Sequence, residues 1–311
     1  MCDFFSFVHH ITGHHAILKR FQRSIETDRV AHSFLFAGPE GVGKRTLALA
    51  LATYLLRNTA HATTRVYQNI HPDCLYVDSN WGNETPSASI KIEAIRQLEE
   101  RLVVGPFEGT CLVVVLDPAD AMTDAAANAL LKTLEEPPPE VYFFLITKAP
   151  YQLPTTIRSR CQTVRFGPLS EEEIVSILKQ RYPDRTLDPN IHSYCEGSVG
   201  RAIALLESEH YANLPETIRH CCDLCVNGTL PELFDFVETI ASWEREVTSV
   251  FLLVFLMEIR DAFMGRSVWT YQRKIDLVSW MKAVETARLD VESNVNRRIV
   301  LENLFWKLRR T

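Results

Sequence analysis

The sequence predicts an α/β parallel-sheet domain built around a phosphate-binding loop, then a small helical lid and an all-α C-terminal domain. Three observations carry this. Gly38-Pro39-Glu40-Gly41-Val42-Gly43-Lys44-Arg45-Thr46 stands between an apolar strand pattern and a helix pattern, the context that a phosphate loop requires. Short apolar runs alternate with helical stretches up to about residue 166, which implies a parallel sheet covered on both faces. From about Glu207 onward the patterning is helical throughout.

The first strand is Ser33-Phe34-Leu35-Phe36-Ala37, and Leu47 to Leu56 reads as a helix rich in Leu and Ala. In the loop between them, Gly38, Gly41 and Gly43 let backbone N–H groups wrap phosphates, and Lys44 neutralises them. The helix N-terminus adds unpaired amides and partial positive charge. The residue after the lysine should be Ser or Thr, whose hydroxyl holds magnesium; here it is Arg45, and Thr46 comes one residue late. The expectation is a loop that binds nucleotide without hydrolysing it efficiently. The plain alternative is a glycine-rich turn joining two core elements.

Cys111-Leu112-Val113-Val114-Val115-Leu116 is a second buried strand ending in Asp117, the geometry by which a central parallel strand delivers a carboxylate to magnesium. Pro118 follows, where many such ATPases carry a glutamate that activates water, and proline accepts no proton. Asp120 lies in the next turn, poorly placed to substitute. Met122 to Glu136 reads as a helix with a Thr123/Asp124 start, closed by Pro137-Pro138-Pro139. Val141 to Thr147 is the next strand; Thr147 at its C-terminal end is placed to meet a γ-phosphate or its water, though a lone threonine there is more often structural.

Beyond Phe166-Gly167-Pro168-Leu169, Ser170-Glu171-Glu172-Glu173 is a capping box that opens a helix, and the stretches down to Leu206 form the lid. Thr229 with Glu232 is a second capping box. Trp243 to Phe263 is a long helix, apolar around most of its circumference, which places it among other helices. Arg297-Arg298 and Lys307-Leu308-Arg309-Arg310 are basic, the ordinary dress of a solvated helix face.

Composition bounds the function. The chain has 311 residues, 46% hydrophobic, enough for two or three domains, and a net charge of −6 argues against unaided binding to nucleic acid through a broad basic surface. Met1-Cys2-Asp3-Phe4-Phe5 shows no secretory pattern, and the greasiest stretch, Val250 to Met257, is too short to span a bilayer. The expectation is a cytoplasmic protein with no membrane partner. Eight scattered cysteines then read as reduced thiols. Only His220-Cys221-Cys222-Asp223-Leu224-Cys225 is worth testing as a metal site, and lacking a second Cys-x-x-Cys arm it reads better as packed helix cysteines; no metal, zinc included, is predicted.

At Thr155-Thr156-Ile157-Arg158-Ser159-Arg160-Cys161 the sequence resembles the Ser-Arg-Cys motif of the clamp-loader AAA+ family of bacterial DNA polymerase III. The likeness includes Gly13, Ala31 to Phe36, His71-Pro72-Asp73, Asn128 to Pro138, Gly197 to Ala202 and Asn294 to Arg298, and is densest before Gly167. It implies an AAA+ nucleotide-binding-type domain over 1–166, a helical lid over 167–206 and an oligomerisation collar over 207–311. It implies that Arg160, with Ser159 beside it, projects into a neighbour's ATP site as an arginine finger, worth ~10³–10⁵ in rate. Arg201 lies near the family's nucleotide-sensing position, although Gly200 competes for that place. Many relatives carry a four-cysteine zinc module, whereas Arg57 to Ile70 contains no cysteine.

The partners implied are gamma/tau ATPase subunits and the delta subunit, with primed DNA and the sliding clamp met through the assembly. No cofactor is required, and ATP or ADP with Mg2+ is expected at most as a weakly held ligand. Two readings compete. One is a stator subunit that contributes Arg160 and a collar but little ATPase or polymerase activity. The other is an ATP-hydrolysing gamma/tau-like motor using Lys44, Thr46, Asp117 and Thr147. A small-molecule kinase on the same loop is a third and weaker reading.

Overall fold

The apolar runs become parallel strands. The computed structural model describes residues 4–8, 11–27, 29–81, 87–187, 191–210, 213–265, 276–293 and 295–310; Cys2 and Asn294 lie outside them. These residues divide into two compact units, 1–180 and 181–311.

In the first unit the order is α1 (Phe4–Val8), α2 (His15–Glu26), β1 (Ser33–Ala37), α3 (Lys44–Leu55), α4 (Ala62–Tyr67), β2 (Cys74–Val77), α5 (Ile92–Val104) and β3 (Leu112–Leu116). It continues through α6 (Asp124–Glu135), β4 (Val141–Thr147), α7 (Thr155–Arg160), β5 (Gln162–Arg165) and α8 (Glu171–Arg181). The sheet order is β2-β3-β4-β1-β5, parallel at every pairing. The chain leaves β1 for the far edge and works back, so β1 is flanked by β4 and β5. In register, Ala37 at its end pairs with Thr147 on one side and Arg165 on the other. Such a reversal opens a crevice beyond the strand C-termini, where ligands of open parallel sheets bind.

Alternation within each strand fills both faces. Phe34, Phe36, Val113, Val115, Phe144 and Ile146 pack in one cluster with Phe21 of α2 and Leu47 and Leu51 of α3. Their neighbours Leu35, Val114, Leu116, Phe143 and Leu145 pack in the other with Ile95 and Leu98 of α5 and Leu130 of α6. Phe34 stacks on Phe144 with ring centroids 5.5 Å apart. Burial of each such side chain contributes roughly 1.5–3 kcal/mol before chain entropy is counted.

The predicted helix from Met122 starts two residues later. Thr123 is extended and caps α6, its Oγ1 accepting from Ala126 N at 3.2 Å, while Met122 bridges to Ile90. The cap takes the hydroxyl out of the helix and fixes the boundary. The Ser170 box holds, with Ser170 N donating to Glu173 Oε2 at 2.8 Å and Glu173 N to Ser170 Oγ at 3.3 Å.

The second unit contains α9 (Ile191–Cys195), α10 (Val199–Glu207), α11 (Leu214–Asn227), α12 (Leu230–Ser242), α13 (Arg245–Phe263), α14 (Leu277–Glu292) and α15 (Arg297–Arg310). Every residue from Val247 to Leu253 on α13 is buried, as expected for a helix packed by α9, α10, α11 and α14. Trp243, predicted to begin this helix, instead ends α12 in an extended conformation, its ring stacked on His210 at 4.0 Å. Thr229 and Glu232 form the predicted capping box. Among the described residues, no helix is long and apolar enough to cross a membrane.

Candidate functional site

The loop from Gly38 to Lys44 leaves β1 at the sheet's reversal. A Cβ on Gly38 would lie 2.4 Å from the Phe166 carbonyl oxygen, so the strand ending at Arg165 and the loop share space that only glycine leaves open. Gly43 has φ 97° and precedes α3 without any side-chain cap. The first amides of α3 are therefore left for a ligand or for water. Thr46 is exposed in that first turn and Gly41 has φ 73°. Lys44 is buried, and its Nζ donates to the carbonyls of Gly38 at 2.7 Å and Pro39 at 2.5 Å. Burial lowers its pKa from the ordinary lysine value, against the opposing pull of Asp117, Glu40 and Asp120.

Asp117 is presented by β3 toward this loop. Its Oδ2 accepts the Tyr76 hydroxyl at 3.0 Å, and the Arg45 guanidinium carbon lies 4.2 Å from the centroid of the Tyr76 ring. Burial raises the Asp117 carboxyl pKa, and the Tyr76 hydrogen bond with the charges of Arg45 and Lys44 only partly offsets it. Magnesium at a phosphate loop needs oxygen donors in near-octahedral array. Here one donor position is a guanidinium and the other carboxylate already has a hydroxyl donor and two cations around it. The donor set does not fit the metal. The triphosphate cradle does fit, because glycine backbone, uncapped helix amides and two cationic side chains all suit anionic oxygen.

The remaining predicted participants are engaged in turns. Thr147 is fully buried and its Oγ1 accepts from Ala149 N at 2.9 Å. Asp120 Oδ1 accepts from Lys148 N at 3.3 Å, and Lys148 Nζ donates to Glu40 at 3.2 Å. Ser159 and Arg160 end α7. Arg160 donates to Thr156 O at 3.0 Å and forms an ion pair with Glu135 at the last residue of α6.

Residues 13–170 match the family model described as "DNA polymerase III, delta subunit". The chain belongs to the DNA polymerase III clamp-loader family. Similar proteins include the delta' subunits of Escherichia coli, 33% identical over 199 residues, and Bacillus subtilis, 32% identical over 207 residues. The matches cover 60% and 63% of this chain and 58% and 60% of those relatives. The gamma subunit of Buchnera aphidicola (subsp. Acyrthosiphon pisum) is 28% identical over 264 residues, covering 78% of this chain and 70% of that protein. Among solved structures, a DNA polymerase III gamma subunit-related protein of Thermotoga maritima matches with TM-score 0.50 and 20% identity, covering 94% of this chain and 98% of that one. That likeness speaks to the fold alone, a parallel α/β sheet followed by helices.

In this clamp-loader chain, the fold gathers Gly38, Gly41, Gly43, Lys44, Arg45 and Asp117 at one end of the sheet. Arg201 belongs to the second unit, where its two terminal nitrogens bond Glu196 at 2.7 Å and Glu292 at 2.5 Å. Arg288 joins the same network through Glu196, Glu285 and Glu292. Cys221, Cys222 and Cys225 are buried free thiols, and burial pushes Cys221 and Cys222 well above the ordinary value. Among the described residues, no group of three or more His, Cys, Asp or Glu is arranged to hold a metal.

Two residues of the site were missed in the sequence. Tyr76 is the contact that ties Arg45 to Asp117, and its only signal was its place near the end of β2, which becomes informative once β2 is known to adjoin β3. Glu135 lies within the Leu134-Glu135-Glu136-Pro137-Pro138 run, but its pairing with Arg160 depends on α6 packing on α7. His71-Pro72-Asp73 has a structural role as well. Asp73 is fully buried and accepts the amides of Phe107, Glu108 and Gly109 at 2.6, 2.9 and 2.7 Å.

Proposed function

We propose that this chain is the delta-prime-type stator of the DNA polymerase III clamp loader. In this reading it hydrolyses little ATP, contributes Arg160 to the ATP site of a neighbouring gamma/tau-type subunit, and assembles with that subunit and a delta subunit through its helical unit. The assembly places a sliding clamp on primed DNA during replication. The 1–166 AAA+ part, the 167–206 lid and the 207–311 collar are the proposed division of labour. Arg201 is proposed as a conformational tie rather than a nucleotide sensor, since both terminal nitrogens already serve carboxylates.

The observation that carries the reading is the altered pair of metal-ligand positions, Arg45 in place of a hydroxyl and Asp117 with one carboxylate oxygen bonded by Tyr76. A phosphoryl transfer centre needs magnesium to neutralise charge on the β- and γ-oxygens, and Pro118 offers no base. Arg160 supports the other half. It is partly exposed at the end of α7, and its carboxylate partner Glu135 is itself half exposed. Such a pair is worth ~0–1 kcal/mol, so docking against a phosphate can replace it readily.

The gamma/tau-like motor remains the second reading. The Buchnera gamma match, which spans most of this chain, and the intact Gly43-Lys44 pair favour it. ATP turnover decides between them. The stator reading expects negligible hydrolysis by the isolated chain. Reconstitution with gamma/tau and delta subunits should give DNA-stimulated hydrolysis that Arg160→Ala cripples, by about 10³-fold or more at the affected interface. Robust turnover by the isolated chain, or full activity of the Arg160→Ala complex, sinks it.

A further inference from the structure

We infer that the phosphate loop binds the di- or triphosphate chain of a nucleotide without a divalent cation, with Arg45 supplying the positive charge that magnesium supplies in other phosphate loops. The inference deepens the proposed reading of a loop that is poor in hydrolysis.

Arg45 is exposed on the first turn of α3, the turn whose amides carry no side-chain cap. Its guanidinium is seated on the Tyr76 ring at 4.2 Å. That seat limits the rotamer freedom a free arginine would lose on binding, and a planar guanidinium meets phosphate oxygens with paired hydrogen bonds. Tyr76 does a second thing. By donating to Asp117 Oδ2 at 3.0 Å it takes up one of the two carboxylate oxygens that face the loop's cations, leaving a single oxygen for a divalent ion. A magnesium ion placed between positions 45 and 117 would face the guanidinium directly, and like charges at that range repel. The phosphate chain meets no such conflict. Lys44 needs only to exchange the Gly38 and Pro39 carbonyls for phosphate oxygen, and both carbonyls lie in the same loop.

Equilibrium binding of a fluorescent ADP or ATP analogue to the whole chain, in excess EDTA and in magnesium, tests this, with unlabelled inorganic tripolyphosphate as competitor. The expected result is binding in EDTA at least as tight as in magnesium, and a loss of about tenfold to a hundredfold in EDTA for Arg45→Thr. Arg45→Thr combined with Tyr76→Phe should recover binding only when magnesium is present, because a hydroxyl and an unoccupied carboxylate are then both available. Tripolyphosphate should compete, at a similar concentration if the phosphate chain alone supplies the affinity and at a higher one if the nucleoside contributes; failure to compete at any concentration overturns the inference. Binding that requires magnesium in the unmodified chain overturns the inference, and so does absence of binding in both buffers. Either result leaves the Arg160 hydrolysis assay untouched, so the failure of this inference is separable from failure of the stator reading. Circular dichroism of all three variants guards against misfolding, and Tyr76→Phe alone should retain binding in EDTA.

Discussion

Replacing Asp73 by alanine should unfasten the loop after α5 without touching the phosphate site. The carboxylate has no exposed surface and accepts three backbone amides at 2.6–2.9 Å, with the Arg101 guanidinium at 3.4 Å. Three hydrogen bonds to a charged acceptor at ~1.5–3 kcal/mol each set an upper bound of roughly 4.5–9 kcal/mol. Phe107 and Glu108 are exposed, so water replaces part of what is lost. A net effect of about 3 kcal/mol remains, which is a fall of about a hundredfold in amide protection at residues 107–109. Native-state hydrogen exchange reads it residue by residue. Burial pushes the Asp73 carboxyl up, but the three amides more than reverse that and hold it below the ordinary aspartate value. The stabilisation is therefore fully present above about pH 3.9 and is lost as pH falls further, through the folded-state value. The difference between wild type and Asp73→Ala should be flat from pH 5 to 7 and should shrink below pH 4. Unchanged exchange at residues 107–109, or an effect below ~1 kcal/mol, would show that the loop holds itself.

Gly38→Ala brings a methyl group 2.4 Å from the Phe166 carbonyl, so it should destabilise the sheet unit by about 1–3 kcal/mol, read as a lower urea midpoint. Glu135→Gln removes the ionic partner of Arg160; it should change stability by less than about 1 kcal/mol and leave DNA-stimulated hydrolysis of the reconstituted complex at or above the wild-type rate. Arg288→Ala removes the guanidinium that Glu196, Glu285 and Glu292 share, although Arg201 still bonds Glu196 and Glu292. Because Glu196 and Glu285 are about two-fifths exposed, the loss should be about 2–3 kcal/mol in urea unfolding, below the range for fully buried pairs, and Arg288→Met should recover part of it.

The sheet was legible because its strands are unambiguous. Val141 to Thr147 and Ser33 to Ala37 hold nothing but apolar and small residues, with β-branched and aromatic side chains that fit a strand buried on both faces. The Thr123/Asp124 start held, with Met122 falling outside α6; the boundary that failed is at Trp243, which ends one helix although its apolarity suits the start of the next. The positions of the glycines, Lys44 and Asp117 followed from local spacing, but Tyr76 did not. A tyrosine near a strand end is ordinary until the strand order puts β2 beside β3, and that order depends on contacts between residues about forty apart. Glu135 was hidden for the same reason.

The survival of phosphate-loop geometry in a chain whose metal ligands are altered has a physical cause independent of nucleotide. Nine of the twelve residues of α3 are buried, and the loop that starts this helix must leave β1 under the Phe166 carbonyl. Folding alone therefore preserves Gly38 and the turn that follows it. Arg45 and the Asp117 carboxylate bear no such burden, since one is exposed with only the Tyr76 ring beneath its guanidinium and the other gains nothing from burial, its charged form being disfavoured there. Substitutions at Gly38 should accordingly be felt as lost stability with ligand binding falling only in proportion, whereas Arg45→Thr should shift ligand and metal preference with the unfolding midpoint unchanged. A loop whose stability and ligand binding responded together at both positions would mean that nucleotide, rather than the packing of α3, holds the loop in shape.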